Sequence, residues 1–307
     1  MSANSYIPAH FPLEYSTNWE SLVQQSESRL SEFVTISPFE GKSKDFNQIG
    51  AVDWQAILGR ARETVITDTP MSKRRLTQGG YDKADLFDEW DEHFLGQISL
   101  PRSEVMLAHL KGWNRLTDTV IITAALGDAV KPSVTDLGLE TTSTIALPAG
   151  QKVAIDFVET GSTANSGLTI AKLRQAKFIL DEADVDDMEP RVVAHTAKEL
   201  QQLLRATEIT SADYNSVKAL VDGKVDTFLG FKFKLVSTSV LPAVGGVRYL
   251  PVWVKSGVKL ASTGAKAHMD VRPDKSHALQ VRHSGQIGGV RMEEEKVVQI
   301  AIDSTLA

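Results

Sequence analysis

The chain contains no cysteine, which removes disulfide frameworks, thiolate metal sites and cysteine nucleophiles together. Long apolar runs are missing as well. The longest, Val120-Ile121-Ile122-Thr123-Ala124-Ala125-Leu126, is far too short to cross a bilayer. The polar, proline-containing start from Met1 to Trp19 lacks the basic-then-apolar pattern of a secretory signal. A soluble product folding in a reducing compartment, with no membrane partner, is the expectation. Basic charge is also in short supply. Among 307 residues, 33 Lys and Arg stand against 39 Asp and Glu, a formal net charge of −6. The one dense basic run, Lys73-Arg74-Arg75, is followed closely by acidic sequence. A protein that grips nucleic acid through its phosphates normally carries a basic excess, so non-specific DNA binding is not expected to be its main work.

Catalytic signatures are equally scarce. Of the seven histidines, none falls in an HExxH pattern and no two share the i, i+4 spacing of a helical metal pair; no metal site or cofactor is expected. There is no GxSxG elbow. Ser256-Gly257-Val258-Lys259 matches the bare SxxK spacing, in which a lysine activates a serine, but it sits in β-prone sequence without partner motifs. Gly285-Gln286-Ile287-Gly288-Gly289 fits no nucleotide-loop pattern and is expected to be a turn between strands. The acidic stretches 181–189 and 88–92 lack the ligand order of a calcium loop, and solvated charge is the expectation for the first. A non-enzymatic chain follows. Opposite charges in one projecting segment can pair between copies, so Lys73, Arg74, Arg75, Asp88, Glu89, Asp91 and Glu92 are candidate subunit-interface residues.

What is present is a polar beginning, a charged middle and a patterned body. Residues 1–45 scatter aromatics among polar residues and resemble an arm with little core of its own, with a helix conceivable over 20–33. The charged tract around 82–93 suits a projecting loop. Val105, Met106, His109, Leu110, Trp113, Leu116 and Val120 recur at three- and four-residue steps, predicting a helix over 101–126, roughly 37 Å long at 1.5 Å per residue. Strands are predicted at 142–147 and 153–158, a helix at 168–183, a buried strand at 192–194, a capping-box helix from Thr196 and a helix at 211–221. Beyond Thr227 the pattern becomes β, at 228–235, 249–258, 267–271, 278–283 and 297–302. The class is α+β.

Several of these stretches, taken together, resemble the major capsid proteins of tailed bacteriophages. The carriers are Thr67-Asp68-Thr69-Pro70 before the long helix, Ser166 to Leu173 leading to Leu180-Asp181-Glu182-Ala183, Ser211-Ala212-Asp213-Tyr214-Asn215 through Gly223, Phe228-Leu229-Gly230-Phe231, and Val271-Arg272-Pro273-Asp274-Lys275 followed by Gly288-Gly289-Val290-Arg291. The resemblance covers about residues 50–303. It implies the Hong Kong 97-type phage capsid fold, with an N-terminal arm at 1–50 and an extended loop at 51–97. A peripheral domain with a long spine helix would take 98–135 and 242–307, and an axial domain 136–241. It further implies homo-oligomeric pentamers and hexamers of an icosahedral shell in the virion, assembled in the host cytoplasm around packaged double-stranded DNA without sequence-specific binding. A separate scaffolding protein, a portal and, optionally, a decoration protein are the implied partners. An encapsulin-like nanocompartment shell shares the fold and stands as the alternative. A hydrolase using Ser256 and Lys259, and a nucleic-acid module on Lys73, Arg74 and Arg75, are rivals of other classes.

Overall fold

The computed structural model describes residues 24–56, 59–60, 66–88, 102–135, 138–205 and 227–306. The chain divides into two compact units, one of Met1–Ser26, Tyr81–Trp113 and Ala265–Gly285, the other of Glu27–Gly80, Asn114–Gly264 and Gln286–Ala307. The helix expected over 211–221 and residues Glu89, Asp91 and Glu92 lie outside the described residues.

The larger, second unit is built on a six-stranded sheet. Its strands are β7 (Lys152–Val153), β8 (Arg191–His195), β9 (Thr227–Phe228), β10 (Phe231–Leu235), β11 (Val247–Val254) and β15 (Val297–Asp303), in the order β7-β15-β11-β8-β10-β9. The apolar run of β8 is buried on both faces, as a central strand requires. Around it Phe231, Leu250, Val252, Trp253, Val298 and Ile300 form the core. Leu229 and Gly230 take positive φ (53° and 85°) between β9 and β10, the two-residue turn that matches the twist of paired strands. Two helices belong to this layer. The first, Ile170–Glu182, begins at Thr169, whose hydroxyl accepts from Lys172 N. The second, Ala197–Arg205, has the expected capping box: Glu199 accepts from Thr196 N at 2.7 Å and also pairs with Arg248.

The same unit holds a four-stranded sheet, β2 (Ser43–Ile49), β3 (Met71–Thr77), β5 (Ala129–Val134) and β6 (Glu140–Ile145), in the order β2-β3-β5-β6. Short β1 (Thr35–Ile36) runs parallel to β12 (Val258–Ser262), which is antiparallel to the Ile287–Arg291 end of β14 (Ala278–Arg291). The segment before β1, expected to have little core of its own, buries Leu30, Phe33 and Val34. Its backbone is held by Asp118, whose carboxylate accepts from Ser28 Oγ at 2.6 Å and from Arg29 N and Leu30 N at 3.1 Å. Trp253 Nε1 donates to Phe33 O at 2.9 Å. The described part of the expected 20–33 helix is a single short turn at Ser31–Phe33.

The predicted long helix is present as Arg102–Leu126 (α1); the Ile170–Glu182 and Ala197–Arg205 helices are α2 and α3. At the C-terminal end of α1, the fully buried Arg291 donates to the carbonyls of Ala125 and Gly127 and to Ile145 O on β6, at 2.6–3.0 Å. A guanidinium thus satisfies orphan helix-end carbonyls and favours the negative end of the helix dipole. Three expectations are corrected. The charged tract 82–87 is not a loop but part of β4 (Gly79–Phe87), which pairs with β14. Gly285–Gly289 is not a turn but lies inside β14: a Cβ on Gly288 would sit 2.2 Å from Thr77 O, and one on Gly289 2.8 Å from Ala124 Cβ. These glycines let backbone and helix approach. The strand expected at 153–158 stops at Val153.

In the first unit, β13 (Lys266–Arg272) is antiparallel to the Ala278–Ser284 part of β14. β4 pairs with β14 as well, and Arg282 reaches Asp82 at 3.3 Å. Ala278 and Val281 are buried here, whereas Met269 and Val271 on β13 are exposed.

Candidate assembly surfaces

β2 and β3 are paired along their whole length, from Ser43 opposite Thr77 to Ile49 opposite Met71. At the Ser43–Thr77 end the hairpin is anchored in the body. Leu76 is fully buried in a cluster with Ala129, Ala261, Val290 and Met292, against which Phe39 and Phe46 pack. Lys259 holds its ammonium 4.2 Å above the Phe46 ring and Lys44 stands at 5.4 Å. Gln48 bridges Met292 O and Ser72 Oγ. The far end closes where Gly50 N donates to Pro70 O at 2.8 Å. At and beyond that closure the character inverts. Ile49 is 73% exposed, Met71 78%, Ile66 88% and Trp54 99%, and Val52 is exposed beside them. A fixed base carrying several large apolar side chains into solvent is the signature of a contact surface rather than of a core.

Strand alternation sorts the basic run. Arg74 points inward with Leu76, where it is buried and makes a two-pronged pair with Glu294 at 2.7 and 2.9 Å. Arg75 faces the other way onto its cross-strand neighbour Asp45, at 2.6 and 2.8 Å, and onto Glu140. The Arg75 hydrogen bond holds the Asp45 carboxyl below the usual carboxylate range, and Asp45 in turn raises Arg75. Two of the three basic candidates therefore have acidic partners within the chain, and Lys73 is exposed. Asp88, the one acidic candidate among the described residues, is half-buried just after β4. The basic candidates belong to the second unit and Asp88 to the first. The acidic stretch 181–189 is only partly solvated: Asp181 and Asp187 accept from buried Arg191 at 2.5 and 2.8 Å.

An open polar cleft of about 580 Å³ lies beside the hairpin base, lined by Gln48, Arg74, Asp184, Glu189, Ser256 and Glu294 among others. Ser256 Oγ makes no hydrogen bond among the described residues, and Lys259 is engaged with Phe46 rather than with it. The contact on which serine–lysine chemistry depends is not made here. Among the described residues no group of three or more His, Asp or Glu could hold a metal ion, and no helix is long and apolar enough to cross a membrane.

The apolar hairpin surface was beyond sequence reasoning because Trp54 and Ile66 are ordinary core residues by type; only the pairing that strands them past Gly50 and Pro70 exposes them. Comparison with known proteins then supplies the family. A family model described as phage capsid protein matches residues 7–304. The capsid structure of cyanophage P-SCSP1u is similar, with a TM-score of 0.71 and 14% identity over 98% of this chain and 95% of that one. Cyanophage Pam1 gives a TM-score of 0.70 and 14% identity, and the acid-stable capsid of Helicobacter pylori bacteriophage KHP30 a TM-score of 0.68 and 9% identity, each over 99% of both chains. No curated protein matches the sequence. Matched over nearly its whole length and folded in the Hong Kong 97-type manner, the chain belongs to the phage capsid protein family.

Proposed function

We propose that this capsid protein is the major subunit of an icosahedral shell enclosing the double-stranded DNA of a tailed phage, and that its β2–β3 hairpin reaches onto a neighbouring copy. The observation that carries the reading is the hairpin's division into a buried base and an apolar, exposed far end. Leu76 and Arg74 fix the base, so the apolar end is held out at little further entropic cost. A shell built from many copies of one weak contact gains specificity from such repetition. The family is a structural one, which supports a non-enzymatic role. A nanocompartment shell has no corresponding support, since the matching family is that of phage capsids.

The domain assignment follows the same reading, with one shift. The register of β2 with β3 supports an extended loop over about 43–77 in place of 51–97, and the pairing of β4 with β14 supports counting 79–87 with the peripheral domain. An arm before about residue 43, a peripheral domain at 98–135 and 242–307 and an axial domain at 136–241 complete it. Lys73, Asp88, Glu89, Asp91 and Glu92 remain the charged candidates for the subunit interface. A scaffolding protein, a portal and optionally a decoration protein join the shell in the host cytoplasm, and the net charge of −6 suits enclosure of DNA without tight holding.

The test is electron microscopy of the full chain co-expressed with its neighbouring genes. Closed shells of uniform size are expected; dispersed subunits under every co-expression would refute the shell reading.

A further inference from the structure

The first unit contains a chain of three titratable groups with no role in the surfaces described above. Asp85 lies on β4, His109 on α1 and His283 on β14. His109 is nearly buried, and its Nε2 stands 2.7 Å from Asp85 Oδ2. Its other nitrogen, Nδ1, stands 3.0 Å from His283 Nδ1, with the rings edge to face at 89°. The carboxylate can only accept, so His109 Nε2 carries a proton and donates it. A hydrogen bond between two Nδ1 atoms needs one proton and one lone pair. That condition is met as long as no more than one ring is charged: both rings neutral with His283 donating, His283 an imidazolium donating to a neutral His109, or His109 an imidazolium donating to a neutral His283. A second positive charge on the pair would set two N–H groups against each other and break the bond.

We propose that Asp85, His109 and His283 form a proton-sharing clasp that joins β4, α1 and β14 at neutral pH and opens when the histidine pair takes up its second proton. Asp85 is itself steadied by Lys83, whose ammonium donates to Oδ1 at 2.7 Å. Among the described residues, His268 on β13 acts on His283, Arg282 beside it pairs with Asp82, and α1 carries Glu104 and Lys111 on either side of His109 in sequence. Asp82 stands against Arg282, and Asp85 against Lys83 and His109.

Burial first, then the neighbouring His109 and His268, lowers the His283 pKa from its ordinary value near 6.5. A histidine lowered in the folded state binds its proton more readily when unfolded. Its contribution to stability is therefore complete above about pH 6.5 and is lost as the pH falls through the lowered value. A metal between the two rings is the competing account. Two imidazole nitrogens on one tetrahedral zinc lie roughly 3.3 Å apart, wider than the 3.0 Å observed, and no third ligand joins them among the described residues.

The test uses the full chain. In wild type, hydrogen exchange of the amides on α1 around His109 should accelerate as the pH falls below about 6.5, beyond intrinsic chemistry, by up to about tenfold per pH unit for one linked proton. The variant H283N keeps a donor near the Nδ1 position but cannot take the proton. It should match wild type at neutral pH and lose the acid step. Nitrogen-15 spectra of wild type provide a readout that needs no variant: the His283 Nδ1 signal should stay that of a hydrogen-bonded ring at neutral pH, and His283 should take up its proton below its ordinary value near 6.5. An unchanged acid step in H283N, or a His283 that takes up its proton at the ordinary value near 6.5, would overturn the clasp. So would spectra showing both Nδ1 atoms ligated on addition of equimolar zinc at neutral pH.

Discussion

At Lys172 four backbone carbonyls converge on one fully buried ammonium. Its three N–H groups are shared among Ile155 O, Ser166 O, Gly167 O and Ala301 O, at 2.7–3.2 Å from Nζ, so one side chain on α2 ties the loop before it to β15. Burial pushes its pKa down to about 8, against weaker opposing pulls from Asp156 and Asp303. Because the folded value lies below that of free lysine, the unfolded chain holds the extra proton between the two. Stability from this group therefore rises from about pH 8 to about pH 10.5, and is lost as the pH falls back through 8. Lys172→Met should abolish that slope and destabilise the chain by at least about 1–3 kcal/mol, the cost of a buried acceptor left unsatisfied. Urea unfolding at neutral and alkaline pH measures both effects. Gly288 makes a second residue-scale prediction. Its missing side chain leaves room for Thr77 O, so Gly288→Ala must push β14 away from the end of β3 and should cost about 1–3 kcal/mol. A thermal melt unchanged from wild type would contradict it.

Among the elements, those with one apolar face were legible and those with polar faces were not. The three- and four-residue steps from Val105 to Val120 gave α1 to within a residue, because Ile121, Ile122 and Ala125 continue the buried face that the period describes. Thr196 and Glu199 revealed α3 through a local hydrogen bond that spacing alone encodes. By contrast, β3 hides its pattern: the inward positions are Arg74 and Leu76, and a guanidinium paired with Glu294 counts as polar in any periodicity. β4 mixes charged and apolar residues without a two-residue period on a largely exposed strand, and so looked like a loop. Gly288 and Gly289 looked like a turn because close approach and turning favour the same residue. The Asp85–His109–His283 chain joins residues up to 198 positions apart on three elements (283 − 85), which no local spacing reveals. The hairpin carries the prediction at this scale. Trp54→Ser with Ile66→Ser removes apolar surface already in solvent, so subunit stability should move by no more than about 0.5 kcal/mol. Shell formation should be lost. Chemical denaturation checks the first outcome and electron microscopy the second; shells of normal yield would exclude the hairpin end from assembly.

For the molecule as a whole, two driving forces for assembly predict opposite responses to salt. If opposite charges on neighbouring copies hold the shell, sodium chloride screens them, and raising it from about 0.1 to about 1 M should dissolve shells. If apolar contact dominates, the same salt chiefly screens repulsion between copies that each carry a net charge of −6, and assembly should improve. Two observations favour the second case. Arg74 and Arg75, the strongest of the basic candidates, already have partners in Glu294, Asp45 and Glu140. The hairpin's far end holds Trp54, Ile66, Met71 and Ile49 largely in solvent, none of which carries charge. Light scattering of the purified chain should therefore show assembly at lower protein concentration in high sodium chloride. The onset should fall further in ammonium sulfate, which strengthens apolar burial by exclusion from the surface. The Trp54→Ser, Ile66→Ser chain should respond to neither salt. Dissolution by sodium chloride would instead assign the shell contacts to Lys73 and the acidic tract, and would reverse the order of importance argued for the hairpin.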